Sequence, residues 1–559
     1  MQQLAVDNFR VFASPANFEL SPITILTGRN NAGKSSLIKS LLLLADYLEQ
    51  DDQTVLRLDG PRARRHKISQ FNNLKNWETA ADTVSLSYTV GGIRLEYEFG
   101  RHQEPVMARL LRFRVVAPAL NEYLELRLIG TEHTTYKLSV RQALIDFLIK
   151  EDAYLAAQSL GYLAEANKVR EKLDNLDKEI ESKTAQFEKS PEMLKFLAVA
   201  SAFEQLNGRR GKLLAQIDEL KASAESSRTR DKGITYSANV TPDELEPGSA
   251  SLPRLIQAGL LSYLDDDATR PVQFFKYRAE QERHTLVRFY QGLQLALRFP
   301  LVHLGPNRTY QSRLYFSHQG SSEIMAIVEA FMHRGIRPGS EADQFLRHWL
   351  PRFNVGDSVN VTPVEGMAFK ITINPTSRRG NPINLADLGF GAGQILTILL
   401  QIASVVQQQE ERRKAVKSTD SPPVLLLIEE PEANLHPRLQ SLLAVLFEEV
   451  TQRYHIRLLV ETHSEYVVRK LQLLVATRPV NDGLPPLPGA VIYYMDQRLE
   501  PTSDEPEKLV AVARRITILP DGKLSEAFGE GFFDEADEHA MELYRLQKKA
   551  ARQAADRLS

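Results

Sequence analysis

The chain has 559 residues (63.2 kDa), 43% of them hydrophobic and 25% charged; these are ordinary globular proportions that exclude a wholly disordered chain, collagen or a coiled-coil fibre. Lys and Arg total 69 against 71 Asp and Glu, a net charge of −2, so no global basic excess calls for nucleic acid and any such contact must come from local patches. Cysteine is absent, which excludes disulfides, thiol catalysis and cysteine-bound zinc and makes a reducing cytoplasm the expected compartment.

Residues Met1 to Asp7 carry neither the basic nor the apolar region of a signal peptide. Leu4 to Val6 and Ile23 to Leu26 read as short strands, and a helical run, Ser35 to Leu48, follows the second. Thr83 to Thr89 and Ile93 to Phe99 alternate around Gly91-Gly92 and predict a hairpin; Leu110 to Val116 and Tyr123 to Ile129 continue the strand signal. From about 140 to 225 the pattern turns helical. Leu173, Ile180 and Phe187 stand seven apart, as do Leu206, Leu213 and Leu220, with Ser190-Pro191 between the runs. That spacing predicts a short antiparallel coiled-coil hairpin; an arm of ~28 residues would reach ~42 Å. Residues 250–350 read as mainly helical, broken at Leu304-Gly305-Pro306-Asn307-Arg308, and two strands are expected near 355–375. The runs Ile395 to Val406 and Val424 to Ile428 are too short to span a bilayer, so no membrane association is expected. The fold class is α/β: one nucleotide-binding core split by a large insertion. Residues 1–135 and 351–534 are its halves, 136–350 the mainly helical insertion with its arm at about 155–225, and 535–559 a helical tail.

Gly28-Arg29-Asn30-Asn31-Ala32-Gly33-Lys34-Ser35 matches the P-loop pattern G-x-x-x-x-G-K-[ST] and sits between an apolar strand and a helix, the context the motif requires. Gly28 and Gly33 permit backbone conformations that a Cβ would obstruct. The N–H groups from Asn30, Asn31 and Ala32 through to Ser36 converge on phosphate, and the helix start adds partial positive charge. Lys34 is expected on the β- and γ-phosphates of ATP, and the Ser35 hydroxyl on Mg²⁺. Far downstream, Val424 to Ile428 runs straight into Glu429-Glu430. Tandem acids closing a buried strand suit a metal-binding carboxylate, Glu429, followed by a base for the attacking water, Glu430. A further apolar run, Ile456 to Val460, leads to Thr462-His463-Ser464, placing His463 where it can meet the γ-phosphate or the water.

Together these segments resemble the ABC-type ATPases of the SMC, RecF and OLD kind, over about residues 1–100 and 380–530. Leu427-Ile428-Glu429-Glu430-Pro431-Glu432-Ala433-Asn434-Leu435-His436-Pro437 is similar to the OLD form of the second nucleotide motif, with Glu429 in place of the usual Asp and Pro431 to His436 as the loop that faces a partner protomer. Glu461 to Ser464 resembles the family's histidine loop. Asp387-Leu388-Gly389-Phe390-Gly391-Ala392-Gly393-Gln394 occupies the place of the ABC signature, with Gly391 for the usual Ser and Ala392 for the first Gly. The resemblance implies an ABC-type P-loop ATPase head with a mixed sheet. It also implies that Gly391, Gly393 and Gln394 complete the site of a second copy in an ATP-closed head-to-tail dimer or higher homo-oligomer. Gln70 is similar in position to the metal-contacting glutamine of the family. The blocks Leu304 to Arg308 and Glu526 to Glu535 resemble those of bacterial OLD-like ATPases of antiphage defence, with the Septu ATPase subunit, including retron-associated forms, and then the PARIS ATPase as comparisons. Such subunits work beside a nuclease or other effector. The stretch after His463 contains the strand run Val491 to Met495 but no Asp-x-Asp pair, so no nuclease site is expected in this chain. Arg62 to Lys67, and Arg278, Arg283 and Arg288, are local basic clusters through which nucleic acid could be met. Two rival expectations are a RecF- or SMC-like DNA-repair ATPase acting on DNA directly, and an ATP-bound scaffold with little turnover.

Overall fold

The computed structural model describes residues 2–59, 66–90, 93–117, 122–130, 134–141, 235–242, 250–265, 300–306, 312–316, 336–365, 367–376, 381–415, 423–477, 490–500, 508–529 and 533–556, with isolated positions between 176 and 328. The predicted coiled-coil arm and Arg62 to Arg65 lie outside the described residues, as do Arg278, Arg283 and Arg288.

Six strands form the sheet that matters for chemistry. Their spatial order is Leu301–Leu304, Leu425–Glu429, Arg457–Glu461, Ile23–Gly28, Val491–Glu500 and Lys508–Thr517. All neighbours run parallel except the last pair, so the sheet is mixed. Their apolar runs are continuous rather than alternating because both faces of the sheet are covered. Leu26, Leu425, Leu427, Leu459, Tyr493 and Met495 enter one core, which also takes Leu37, Leu41 and Leu44 of the helix Lys34–Leu48. Ile23, Ile25, Leu426, Ile428, Leu458 and Val460 enter the other. Side chains of the helices Phe390–Ala415, Pro437–Arg453 and Glu465–Ala476 fill that second core. Within the first of these, Phe390–Glu411 is long and apolar enough to cross a membrane by length and composition, yet most of its apolar stretch is buried inside the protein. Its apolar run Ile395 to Val406 serves as core.

A nine-stranded antiparallel sheet takes Gln3–Asp7 and Ala16–Glu19 from before the phosphate loop, six strands between Val55 and Arg141 from after it, and Thr235–Val240. The expected hairpin forms as Thr83–Val90 and Ile93–Arg101, with Val90 opposite Ile93. At the far edge, Thr135–Arg141 pairs with Thr235–Val240, and Arg141 stands opposite Thr235. The two ends of the interval 142–234 are therefore held side by side. Among the described residues, the stretch 136–350, expected to be mainly helical, also contains strands: Thr135–Arg141 and Thr235–Val240 belong to the antiparallel sheet, Leu301–Leu304 forms an edge of the six-stranded one, and Tyr315–Phe316 pairs with Ala368–Asn374. A four-residue apolar strand is too short for periodicity to separate it from a helix. The two strands expected near 355–375 form as Ser358–Val364 and Ala368–Asn374. The C-terminal helix spans Asp534–Asp556 and leaves Met541, Leu543, Tyr544 and Leu546 exposed.

Candidate nucleotide site

The phosphate loop turns between the strand Ile23–Gly28 and the helix Lys34–Leu48. Gly28 has φ 121 and Gly33 φ 112, and a Cβ on Gly28 would lie 2.1 Å from the Met495 carbonyl oxygen. Glycine is required there by both strain and space. Asn31 also has a positive φ, of 62, so the loop alternates conformations as a backbone anion nest does. The neighbouring strand holds it in place: the Arg29 N–H donates to Met495 O at 3.0 Å, and Gln497 Nε2 donates to Asn31 O at 3.0 Å. Asn30, Asn31 and Ser35 are exposed, whereas Ala32, Gly33, Lys34 and Ser36 are buried. Lys34 Nζ donates to the carbonyls of Gly28 and Arg29, each at 2.9 Å. Desolvation lowers the Lys34 pKa, opposed by the negative charges of Glu461 and Glu430.

The strand order brings the tandem acids close to this loop. Arg457–Glu461 separates the glutamate strand from the loop strand, with Glu429 opposite Glu461 and Glu461 opposite Leu26. Glu430 leaves the strand with φ 44, and its N–H donates to Glu461 O at 2.8 Å. This bond fixes where the chain turns after the sheet. His463 lies beyond the end of the middle strand, and its N–H donates to Glu432 Oε1 at 2.7 Å. Partial burial of its ring lowers the pKa, Lys34 adds to this and Glu430 opposes it. Ser464 caps the following helix by accepting from Val467 N–H at 3.3 Å.

The signature segment starts the helix Phe390–Ala415. Gly389 and Phe390 are exposed, Phe390 by 62%. Gly391 packs beneath the loop after the tandem acids, where a Cβ would stand 2.6 Å from Asn434 O. Gly393 is buried, and Gln394 is fully buried. The Gln394 amide donates to Glu430 O at 3.4 Å and accepts from Asn434 Nδ2 at 3.3 Å. In this conformation Gln394 thus joins the signature helix to the acid turn of its own chain. Gln70 is exposed at the start of the turn Phe71–Asn73. Its link to the loop is indirect: Arg10 donates both to Asn73 O at 3.2 Å and to Ser36 Oγ at 3.3 Å.

The sequence motifs leave out Arg10 and His303, and include Glu432 and Glu461 only as members of the loop after the tandem acids and of the histidine loop. Glu461 is the most consequential for the electrostatics. It is 7% exposed, and its carboxyl is raised to about 7 by burial first, then by Glu429, Glu430 and Glu432, with Lys34 opposing. An apolar strand ending in an acid, twice in 40 residues, was the available signal; that the two strands are adjacent was not. A carboxyl raised above its unfolded value favours folding while protonated, and that advantage is lost as pH climbs from about 4.5 through about 7. Glu461→Gln should therefore match the parent at pH 5 in a urea midpoint and exceed it at pH 8, by at most about 3 kcal/mol. Equal midpoints at both pH values would mean that Glu461 ionises without penalty.

A family model described as an AAA ATPase domain matches residues 340–468, a span that holds the signature segment, Glu429, Glu430 and His463. A comparison with curated proteins finds no match. Among solved structures, the chain is similar to the Smc head domain with an extended coiled coil, bound to the C-terminal domain of ScpA, from Pyrococcus furiosus. That match has 13% identity and a TM-score of 0.31, covering 92% of this chain and 96% of that chain. It is also similar to the SMC head domain from Thermotoga maritima, with 11% identity and a TM-score of 0.29, over 92% and 98% of the two chains. Such scores describe a distant likeness; the head fold follows from the strand order and from the loop that the sheet positions. Residues 340–468, the part similar to an AAA ATPase domain, contain no phosphate loop; residues 28–35 supply one, which the strand order of a single mixed sheet brings beside Glu429, Glu430 and His463.

Proposed function

We propose that this chain is the ATP-hydrolysing subunit of an antiviral defence complex, and that it governs a partner nuclease effector through ATP-dependent head-to-tail assembly. The observation that carries the assembly is the start of the signature helix. Gly389 and Phe390 stand exposed there, while Gln394 ties the same helix to the carbonyl of Glu430. A second copy's triphosphate meeting that helix start would be mechanically linked to the residue that handles water. An exposed aromatic on the same face suits a protein contact that closes around it.

Within one head, the loop N–H groups and Lys34 bind the phosphates, Glu430 takes the proton of the attacking water, and His463 orients that water or the γ-phosphate. The donor set fits Mg²⁺, a hard cation that takes oxygen ligands and keeps several waters: an exposed Ser35 hydroxyl at the helix start and the Glu429 carboxylate. When bound, the metal neutralises charge developing on the β- and γ-phosphates. The segment between Arg141 and Thr235, anchored at one point of the antiparallel sheet, serves in this reading as the arm that meets the partner protein. The nuclease site belongs to that partner, and the complex is cytoplasmic.

Sedimentation of the purified chain tests the assembly. With Mg²⁺ and ATP it should shift from monomer toward dimer or larger, and Phe390→Glu should block the shift while leaving ATP affinity within about twofold. Identical sedimentation with and without ATP would refute assembly as the output. Salt-sensitive DNA binding by the chain alone would instead favour direct action on DNA.

A further inference from the structure

We propose that His303 is a positioning residue for Glu429: it holds the metal-binding carboxylate in place from a strand that the insertion supplies. The inference rests on the nucleotide-site reading above and goes beyond it, since nothing in the motifs assigns His303 a part. His303 Nε2 lies 2.6 Å from Glu429 Oε1. The two side chains are 12% and 15% exposed, so the contact is largely shielded from water.

The geometry explains why these two groups meet. Leu301–Leu304 pairs in parallel with Leu425–Glu429, and His303 stands opposite Leu427. Side chains two apart on a strand share a face, so Glu429 projects on the side of Leu427, where His303 also projects. The imidazole reaches diagonally to the acid two positions on, a span open to long side chains. Leu301, Val302 and Leu304 make the rest of this edge strand apolar, and its one polar side chain meets the acid at the end of its neighbour. Ligands of open parallel sheets bind at that end of the strands.

The chemistry follows from the donor inventory. An ionised carboxylate only accepts hydrogen bonds, so the ring nitrogen facing it carries the proton. An N–H to Oε1 restricts the carboxylate's rotation. Groups that orient a metal-binding side chain in this way typically change metal affinity by about 10–100-fold when removed. The strand thereby connects the insertion to the metal position.

The test compares the affinity of the full-length protein for a non-hydrolysable ATP analogue, by calorimetry, with Mg²⁺ and with EDTA. The ratio of the two affinities measures how strongly metal and nucleotide support one another. His303→Leu, which keeps the strand apolar, should lower that ratio at least about tenfold with EDTA affinity unchanged, and His303→Gln, which restores an N–H donor, should recover most of it. His303→Ala serves as a second donor-less variant, and a urea midpoint identifies any that fails to fold. A ratio within twofold of the parent in a folded donor-less variant, or a higher one, overturns the proposal. So does failure of His303→Gln to recover any of the loss. A parent protein that binds the analogue under neither condition, with Lys34→Ala indistinguishable from it, would sink the reading of the site itself and this inference with it.

Discussion

Glu430→Gln should bind ATP as tightly as the parent chain and hydrolyse it at least about 100-fold more slowly, because a positioned general base typically contributes 10²–10⁴ in rate. The substitution keeps the shape of the side chain and removes its ability to take a proton. It leaves intact the backbone that places residue 430: the N–H bonded to Glu461 O at 2.8 Å and the carbonyl that accepts from Gln394. Phosphate contacts come from another part of the sheet, so binding and turnover should separate cleanly in this variant. In the assembly reading, the uncoupled protein accumulates in its closed, ATP-bound form. Phosphate release and equilibrium binding measured on the same preparation check this. Turnover at the parent rate would remove Glu430 from the role of base.

Lys34→Ala should lose nucleotide binding by at least about 100-fold. Charge-assisted hydrogen bonds contribute about 1.5–3 kcal/mol each, and a loop lysine makes more than one to the phosphates. Lys34 is 5% exposed and already donates to two loop carbonyls; phosphate oxygens would compete with those carbonyls for the same ammonium. Desolvation alone would weaken that ammonium's hold on its proton, and the negative charges of Glu461 and Glu430 counter this. The site thus keeps a cation where a polyanion is to bind. Calorimetry with a non-hydrolysable analogue reads the loss, and unchanged affinity would refute the loop assignment.

Much of the site was legible in the sequence because its pieces carry local signals. A glycine-bounded loop ending in Lys34-Ser35, set between an apolar strand and a helix, has the spacing that a phosphate cradle needs. Glu429-Glu430 directly after five apolar residues points to the edge of a buried sheet. What local pattern cannot convey is which strands become neighbours. Glu461 gains its importance only from standing opposite Glu429, and His303 only from lying on an edge strand drawn out of the insertion. Gln394 is a further case: its motif did not convey that it is fully buried and bonded to Asn434 and to the Glu430 carbonyl. Register and strand order are products of the whole fold, so the residues they create were beyond a reading by segments.

The acid end of this sheet gathers four carboxyl groups, Glu429, Glu430, Glu432 and Glu461, around one buried lysine. Burial first, and then the negative charges of the other three, raise the Glu461 pKa; a bound cation would relieve the repulsion, so metal and nucleotide should enter together. The most direct measurement is a single turnover of γ-labelled ATP by the unaltered chain, with excess protein, in Mg²⁺ and in EDTA. Phosphate released in Mg²⁺ alone, and absent in both Lys34→Ala and Glu430→Gln, is the predicted result. ATP that binds in Mg²⁺ and stays whole over many hours would contradict it, and would make this chain a nucleotide-held scaffold rather than an enzyme.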